Sequence, residues 1–223
     1  MIGAINIIKT NRNIDWRTSG KVSGVKNQGS ACNSCYAFVA TADIETSYLL
    51  ASQKVTLSEQ QIIDCTSSYG NNGCTNGFYG YAFEYAKTHP LASSSDYPYT
   101  GTSQSCKESS QGYKISSYLA YKGTSCSFLE SMLQMRPVSV SVDGVNFYWQ
   151  FYRRGVLSNC GRSNKLNHGV QVVGMGQEGN SSWWIAKNSW GTEWGENGYI
   201  RLDNTVNQGN ICLVCSYIYH SQL

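Results

Sequence analysis

Between Cys35 and about Leu50, the residues Phe38, Ala42, Glu45 and Leu49 recur at helical spacing, flanked by Ala37, Val39, Ala40 and Ile44. Apolar character runs nearly all the way round this segment, so the pattern predicts a helix buried on most sides. Ser58-Glu59-Gln60-Gln61 is an S-x-x-Q capping box, the arrangement in which a hydroxyl and an amide satisfy each other's backbone N–H groups. It predicts a short helix through Ile62, Ile63 and Cys65. Residues 66–77 form a Gly-, Asn- and Ser-rich loop, and a third helical pattern covers about 78–86.

The period changes in the second half. Residues 113–119 read as extended, and a short helix follows at about 127–135. After Pro137, Val138, Val140 and Val142 alternate with Ser139, Ser141 and Asp143, which predicts a half-buried strand. Further strands are expected at 169–175, 182–188, 198–202 and 216–219. Helices first and strands afterwards, with no alternating βαβ pattern and no internal repeat, predict an α+β fold of two lobes.

At 223 residues the chain can bury one sizeable core or two modest ones. A formal charge of +3 without any Lys/Arg run excludes a nucleic-acid surface, and no apolar stretch approaches the length of a membrane-spanning helix. Residues 1–9 carry an apolar stretch but neither a basic flank nor a small-residue cleavage site, so they do not read as a signal peptide. The sequence is then expected to be a mature fragment of a secreted or endolysosomal protein. The triplet Asn180-Ser181-Ser182 matches a glycosylation acceptor, a pattern too common by chance to assign.

Nine cysteines sharpen this picture. Such a number favours an oxidising compartment, extracellular or lysosomal/vacuolar. Only Cys32/Cys35 and Cys212/Cys215 stand at C-x-x-C spacing and the three histidines are scattered, so no metal or other cofactor is expected. An odd count leaves one thiol to explain. Cys35 opens the first predicted helix, where the helix N-terminus lowers a thiol pKa. His168, in Asn167-His168-Gly169, would complete an ion pair with the thiolate and later protonate a leaving amine. Asn188, in Lys187-Asn188-Ser189-Trp190-Gly191, would orient the ring through its side-chain carbonyl. Gln28 is placed to donate an N–H to a developing oxyanion beside the backbone N–H of Cys35. Cys35 alone would read as a buried structural thiol and His168 alone as a satisfied core histidine; in this company both read as catalytic. A redox role for the Cys32/Cys35 pair would require Cys32 to be free.

This constellation resembles the papain-like cysteine proteases, the papain/cathepsin family. The resemblance runs from Asp15-Trp16-Arg17 to the end. It rests on Gln28-Gly29, Cys32-Asn33-Ser34-Cys35, Leu57-Ser58-Glu59-Gln60-Gln61, Cys74-Thr75-Asn76-Gly77, Asn167-His168, Lys187-Asn188-Ser189-Trp190-Gly191 and Trp194-Gly195-Glu196-Asn197-Gly198-Tyr199. It implies a single peptidase domain, with a mainly helical lobe over about 19–120 and a β-barrel-like lobe from about 1–18 and 121–223. The active-site cleft lies between them. It further implies that Trp190 shields the His168–Asn188 bond and that Trp194 lines the leaving-group side. Gly77 and the carbonyl of Asn167 would hold the substrate backbone, with Asn76 at the cleft edge. Phe78, Tyr79, Ser141, Leu166 and Tyr217 would form a shallow apolar specificity pocket. The same carry-over pairs Cys32 with Cys74, Cys65 with Cys106 and Cys160 with Cys212, and leaves Cys126 and Cys215 as a proposed fourth bridge.

The expected activity is that of an endopeptidase on protein and peptide substrates, acting as a monomer and held inactive by an inhibitory pro-segment. Three departures from the family pattern near the nucleophile bear on it, one being Tyr36 in place of the more common Trp. Seven positions separate Gln28 from Cys35 where six are usual, because Ser30-Ala31 stands for one residue, and Asn33 replaces a glycine. If the extra residue displaced Gln28, the fold would instead support a catalytically impaired binding protein.

Overall fold

The computed structural model of the chain describes residues 12–108, 110–161, 165–205 and 209–223. Helix α1 (Cys35–Leu50) has the predicted bounds and is buried from Tyr36 through Ser47. Burying an unpaired polar group is costly, and the polar side chains of α1 have specific partners, Glu45 Oε2 being a buried exception. Glu45 accepts from the backbone N–H of Leu57 at 2.8 Å and from Lys26 Nζ at 2.7 Å. Asp43 accepts from the Ser221 backbone N–H at 2.8 Å and lies 3.3 Å from Arg136 Nη2. Thr46 Oγ1 accepts from Gln171 Nε2 at 2.9 Å. Glu45 thus ties α1 to the loops of its own lobe, while Asp43 and Thr46 tie it to the second half of the chain.

Helix α2 (Glu59–Cys65) is capped by Ser58, whose hydroxyl accepts from the Gln61 N–H at 3.0 Å. Only this half of the capping box forms. The Gln61 amide turns instead into the core, accepting from the Ala92 N–H at 2.6 Å and donating to the Pro90 carbonyl at 2.9 Å. A buried loop with unpaired backbone groups is the stronger claimant on a buried amide than a helix end that already has one cap. Helix α3 (Tyr79–Thr88) completes this lobe. Its core comprises Tyr36, Val39, Ile44, Leu57, Ile62, Phe83 and Tyr85 among others.

The second half builds one sheet. Its strands are β1 (Ile14–Asp15), β2 (Ser117–Lys122), β3 (Val138–Val142), β4 (Val156–Leu157), β5 (His168–Glu178), β6 (Ser181–Lys187), β7 (Tyr199–Asp203) and β8 (Tyr217–Gln222). Helices α4 (Cys126–Leu133) and α5 (Phe147–Gln150) punctuate them. The order is β2-β8-β3-β5-β6-β7-β4, with β1 on β5. This is an open sheet, not a closed barrel: β2 and β4 form its two ends. Strand β3, expected to be half-buried, is buried along its whole length. Its valines face the sheet core while Ser139 faces α1 and donates to Asp43 Oδ2 at 3.1 Å, so both faces are covered. The two lobes have separate cores, but β8 reaches across: Tyr219 belongs to the helical one.

Disulfides join Cys32 to Cys74 and Cys65 to Cys106 in the helical lobe, and Cys126 to Cys215 and Cys160 to Cys212 in the other. The Cys126–Cys215 pair has its Cα atoms 5.1 Å apart, within ordinary disulfide geometry. Cys35 is the free cysteine.

Candidate active site

Cys35 is the first residue of α1, so its thiol sits over unpaired backbone N–H groups at the helix N-terminus. His168 is the first residue of β5, opposite Val142 of β3. Asn188 follows the last residue of β6, which pairs antiparallel with β5. Strand pairing therefore brings the imidazole and the amide together. The Asn188 carbonyl oxygen also accepts its neighbour's N–H, from Ser189 at 2.9 Å, which fixes the amide orientation. That oxygen can only accept, so His168 Nε2–H donates to it, at 2.7 Å. The other ring nitrogen is thereby the one that serves Cys35.

The electrostatics follow from this geometry. Burial works against the Cys35 thiolate, yet the hydrogen bond and charge of His168, with the backbone N–H groups of Gly169 and Tyr36, hold the thiol below its ordinary value. Burial likewise disfavours the imidazolium, but the Cys35 thiolate and the Asn188 carbonyl raise His168 above the usual histidine range. The arrangement favours a thiolate–imidazolium pair. Three tryptophans surround the ring. Trp190 lies over it at 5.0 Å between centroids, Trp194 packs edge-on to Trp190 at 5.2 Å, and Trp149 approaches His168 at 6.2 Å.

Gln28 lies on the other side of Cys35 and is buried, as are Cys32 and Ser34, while Gly29, Ser30 and Ala31 are exposed. The extra residue is thus taken up in an outward loop. Gln28 is held from the second lobe: its N–H donates to the Ser189 carbonyl at 2.8 Å, and its side-chain oxygen accepts from Ser189 Oγ at 2.7 Å. With the oxygen engaged by Ser189, the amide nitrogen is the free end of the side chain, with one long contact to the Cys32 carbonyl at 3.3 Å.

Cys35, His168 and Gln28 all line one cleft of about 680 Å³ between the lobes, together with Asn76, Gly77, Asn167 and Trp190. Gly77 is there for close approach: a Cβ would lie 2.6 Å from both Asn71 Oδ1 and the Tyr36 ring. Gly144 similarly leaves room for His168, whose Cβ would be 2.7 Å from any added one. Trp194 stands behind Trp190. Of the residues expected to form a specificity pocket, Leu166 is 38% exposed and Phe78 and Tyr217 are half-buried. Tyr79 and Ser141 are buried, their hydroxyls bonded to each other at 2.9 Å. None of these five lines the cleft that holds Cys35 and His168.

The structure adds residues that the sequence does not single out. Val145 and Gln150 line the cleft. They belong to a turn built by Asn167, whose side-chain oxygen accepts from the Gly144 and Val145 N–H groups at 2.9 and 3.2 Å, and by Asn146, which caps α5. The one local signal for this turn is an Asn directly before the aromatic run Phe147-Tyr148-Trp149, since Asn before an apolar segment marks a helix start. Ser189 lies inside the 187–191 run, but its bond to Gln28 spans the two lobes and has no local signature. Among the described residues no cluster of three or more potential metal ligands occurs, and no helix is long and apolar enough to cross a membrane.

Comparison with known proteins identifies the family and the fold. A family model described as papain family cysteine protease matches residues 10–221. The chain is 39% identical over 212 residues to a cathepsin L-like proteinase of Fasciola hepatica, covering 91% of this chain and 63% of that protein. It is 39% identical over 207 residues to human cathepsin L2, covering 88% and 61% respectively. The chain therefore spans about three fifths of the length of these relatives. Among solved structures, the bromelain protease of Ananas comosus in complex with the E64 inhibitor superposes with a TM-score of 0.86 at 36% identity, covering 95% of this chain and 99% of that one. Digestive procathepsin L 3 of Tenebrio molitor gives 0.87 at 38% identity, covering 98% and 72%.

Proposed function

The chain belongs to the papain family of cysteine proteases, and from that premise we propose that it is an endopeptidase acting through Cys35, His168 and Asn188. The observation that carries the reading is the aligned trio: a thiol at a helix N-terminus, and a histidine bonded to that thiol on one side and to Asn188 Oδ1 at 2.7 Å on the other. The Cys35 thiolate attacks the scissile carbonyl, and the carbonyl electrons move to oxygen. Gln28 Nε2–H and the Cys35 backbone N–H receive that oxyanion. Collapse expels the amine, which takes the proton from His168 and leaves a thioester. Neutral His168 then takes a proton from water, whose oxygen attacks the thioester; collapse frees the acid and restores the ion pair.

Substrate lies extended along Gly77 and the Asn167 carbonyl, with Asn76 narrowing the rim. Phe78, Leu166 and Tyr217 form an apolar pocket for a substrate side chain, supported from behind by Tyr79 and Ser141, and Trp194 borders the leaving-group side. The helical lobe spans about 19–120 and the sheet lobe about 12–18 and 121–223 of a single domain, with β2 straddling their boundary; residues 1–11, expected in the sheet lobe, lie outside the described residues. Four disulfides suit a lysosomal, vacuolar or extracellular setting. The enzyme acts as a monomer under the control of an inhibitory pro-segment, by analogy with the proform of the Tenebrio protein. The seating of Gln28 in the cleft supports catalysis over the impaired-binder reading. Incubation with an epoxide thiol trap and a peptide library tests the proposal. It expects stoichiometric labelling at Cys35, abolished in Cys35→Ala, and turnover of peptides with apolar residues in the pocket; labelling without turnover of any peptide overturns it.

A further inference from the structure

The loop that carries Gln28 to Cys35 holds one more residue than the family pattern, and its middle is exposed. Most of its anchors grip one end only. Ser189 holds Gln28. The Cys32–Cys74 bridge and the bond from the Asn33 N–H to the Cys74 carbonyl, at 2.9 Å, hold the far end. Tyr99 differs from these. Its hydroxyl donates to the Gln28 backbone carbonyl at 2.6 Å and accepts from Ser34 Oγ at 3.0 Å. One oxygen atom therefore bridges the residue that begins the loop and the residue that ends it.

Three details make this contact specific. Ser34 is the N-cap of α1, yet its side chain makes no capping bond. The Ser34 hydroxyl is instead oriented toward Tyr99, to which it donates. The Tyr99 ring is itself held, edge-on to Phe38 of α1 at 5.0 Å, and the next residue is fixed by the Thr100 N–H donating to Gln60 Oε1 at 2.8 Å. Finally, Ser189 takes the Gln28 N–H and Tyr99 takes its C=O, so both faces of the Gln28 backbone are pinned and the side chain leaves from a fixed Cα.

We propose that Tyr99 is a positioning residue for the oxyanion site, its phenol clamping the two ends of the lengthened 28–34 loop so that Gln28 stays beside Cys35. The inference rests on the peptidase reading above and on Gln28 as an oxyanion donor. Tyr99→Phe tests it with the ring and its packing retained. Loss of one hydrogen bond to a positioning carbonyl is expected to lower kcat by roughly 5- to 10-fold, with KM within twofold. Alkylation of Cys35 by iodoacetamide, which forms no oxyanion, is expected to keep its rate. In a Gln28→Ala background, Tyr99→Phe is expected to have no further effect on kcat. An unchanged kcat in the single variant overturns the proposal. So does a drop of the same factor in the Gln28→Ala background, or an equal drop in alkylation, since either places the effect in the nucleophile or the fold. If Gln28→Ala itself leaves kcat unchanged, the oxyanion role of Gln28 fails and the role of Tyr99 with it; if Gln28→Ala lowers kcat and Tyr99→Phe does not, only the present inference fails.

Discussion

His168 and Asn188 stand at the ends of two paired strands, in a sheet whose ladder runs from β3 through β5 to β6, whereas Gln28 and Cys35 stand at opposite ends of an irregular loop. On the sheet side, position is set by backbone register, with β5 and β6 in step from Gln171–Lys187 and again beyond a bulge at Val173. On the loop side there is no ladder, and position comes from a disulfide and side-chain bonds through Ser189 and Tyr99. A slip of one residue turns every side chain to the other face, so an extra residue in a strand has to be taken up in a bulge, as at Val173 in β5. A loop can absorb an extra residue if its ends are separately held.

Perturbations can break this comparison. In the proposed mechanism the sheet-side His168 both activates the thiol and protonates the amine, so His168→Ala is expected to lower kcat/KM roughly 10⁴- to 10⁶-fold, with the thiol alkylating only as pH approaches its ordinary range. Stopped-assay kinetics and an alkylation profile measure both. Gln28→Ala acts on the loop side and is expected to reduce kcat by about 10²- to 10³-fold, while alkylation by a small halide changes far less. Comparable losses in the two assays would show that Gln28 serves the nucleophile instead.

Asn188→Ala removes the acceptor from the imidazolium. A hydrogen bond to a charged group is worth about 1.5–3 kcal/mol, or roughly 10- to 100-fold in rate. The pH profile supplies the sign. Cys35 is lowered and His168 raised, so the reactive pair exists from an acid limb below the ordinary thiol range to a basic limb above the ordinary histidine range. Without the Asn188 carbonyl, the His168 proton is lost at lower pH, and the basic limb should move down while the acid limb holds. Movement of the acid limb alone would contradict the assigned geometry. A smaller catalytic effect is expected from Ser189→Ala, which frees the Gln28 amide but leaves its backbone bonded: a loss of about tenfold in kcat, with Tm little changed.

Much of this site is legible in the chain itself. Cys35, His168 and Asn188 sit in short runs whose composition already states their chemistry, and the burial of α1 follows from its nearly unbroken apolar or small positions. The specificity pocket is less legible. Tyr79 and Ser141 are bonded to each other in the interior, a pairing between α3 and β3 that leaves no trace in either local pattern. The Gln61 half of the capping box does not form for a similar reason, because a distant loop at Pro90–Ala92 competes for its amide. The short helix α5 escapes a reading by periodicity because Phe147-Tyr148-Trp149-Gln150 has too few residues to show a period.

The sequence by itself determined the order of the longer helices and strands, the odd thiol and the three residue types to which the proposed chemistry is assigned, since these depend on periodicity and side-chain identity. Tertiary structure decided where the extra loop residue goes, which oxygen of Ser189 meets which atom of Gln28, and which hydroxyl ties the two ends of the loop. Those are contacts between residues far apart along the chain. Their energy comes from geometry that exists only once α1 and the sheet have packed against each other.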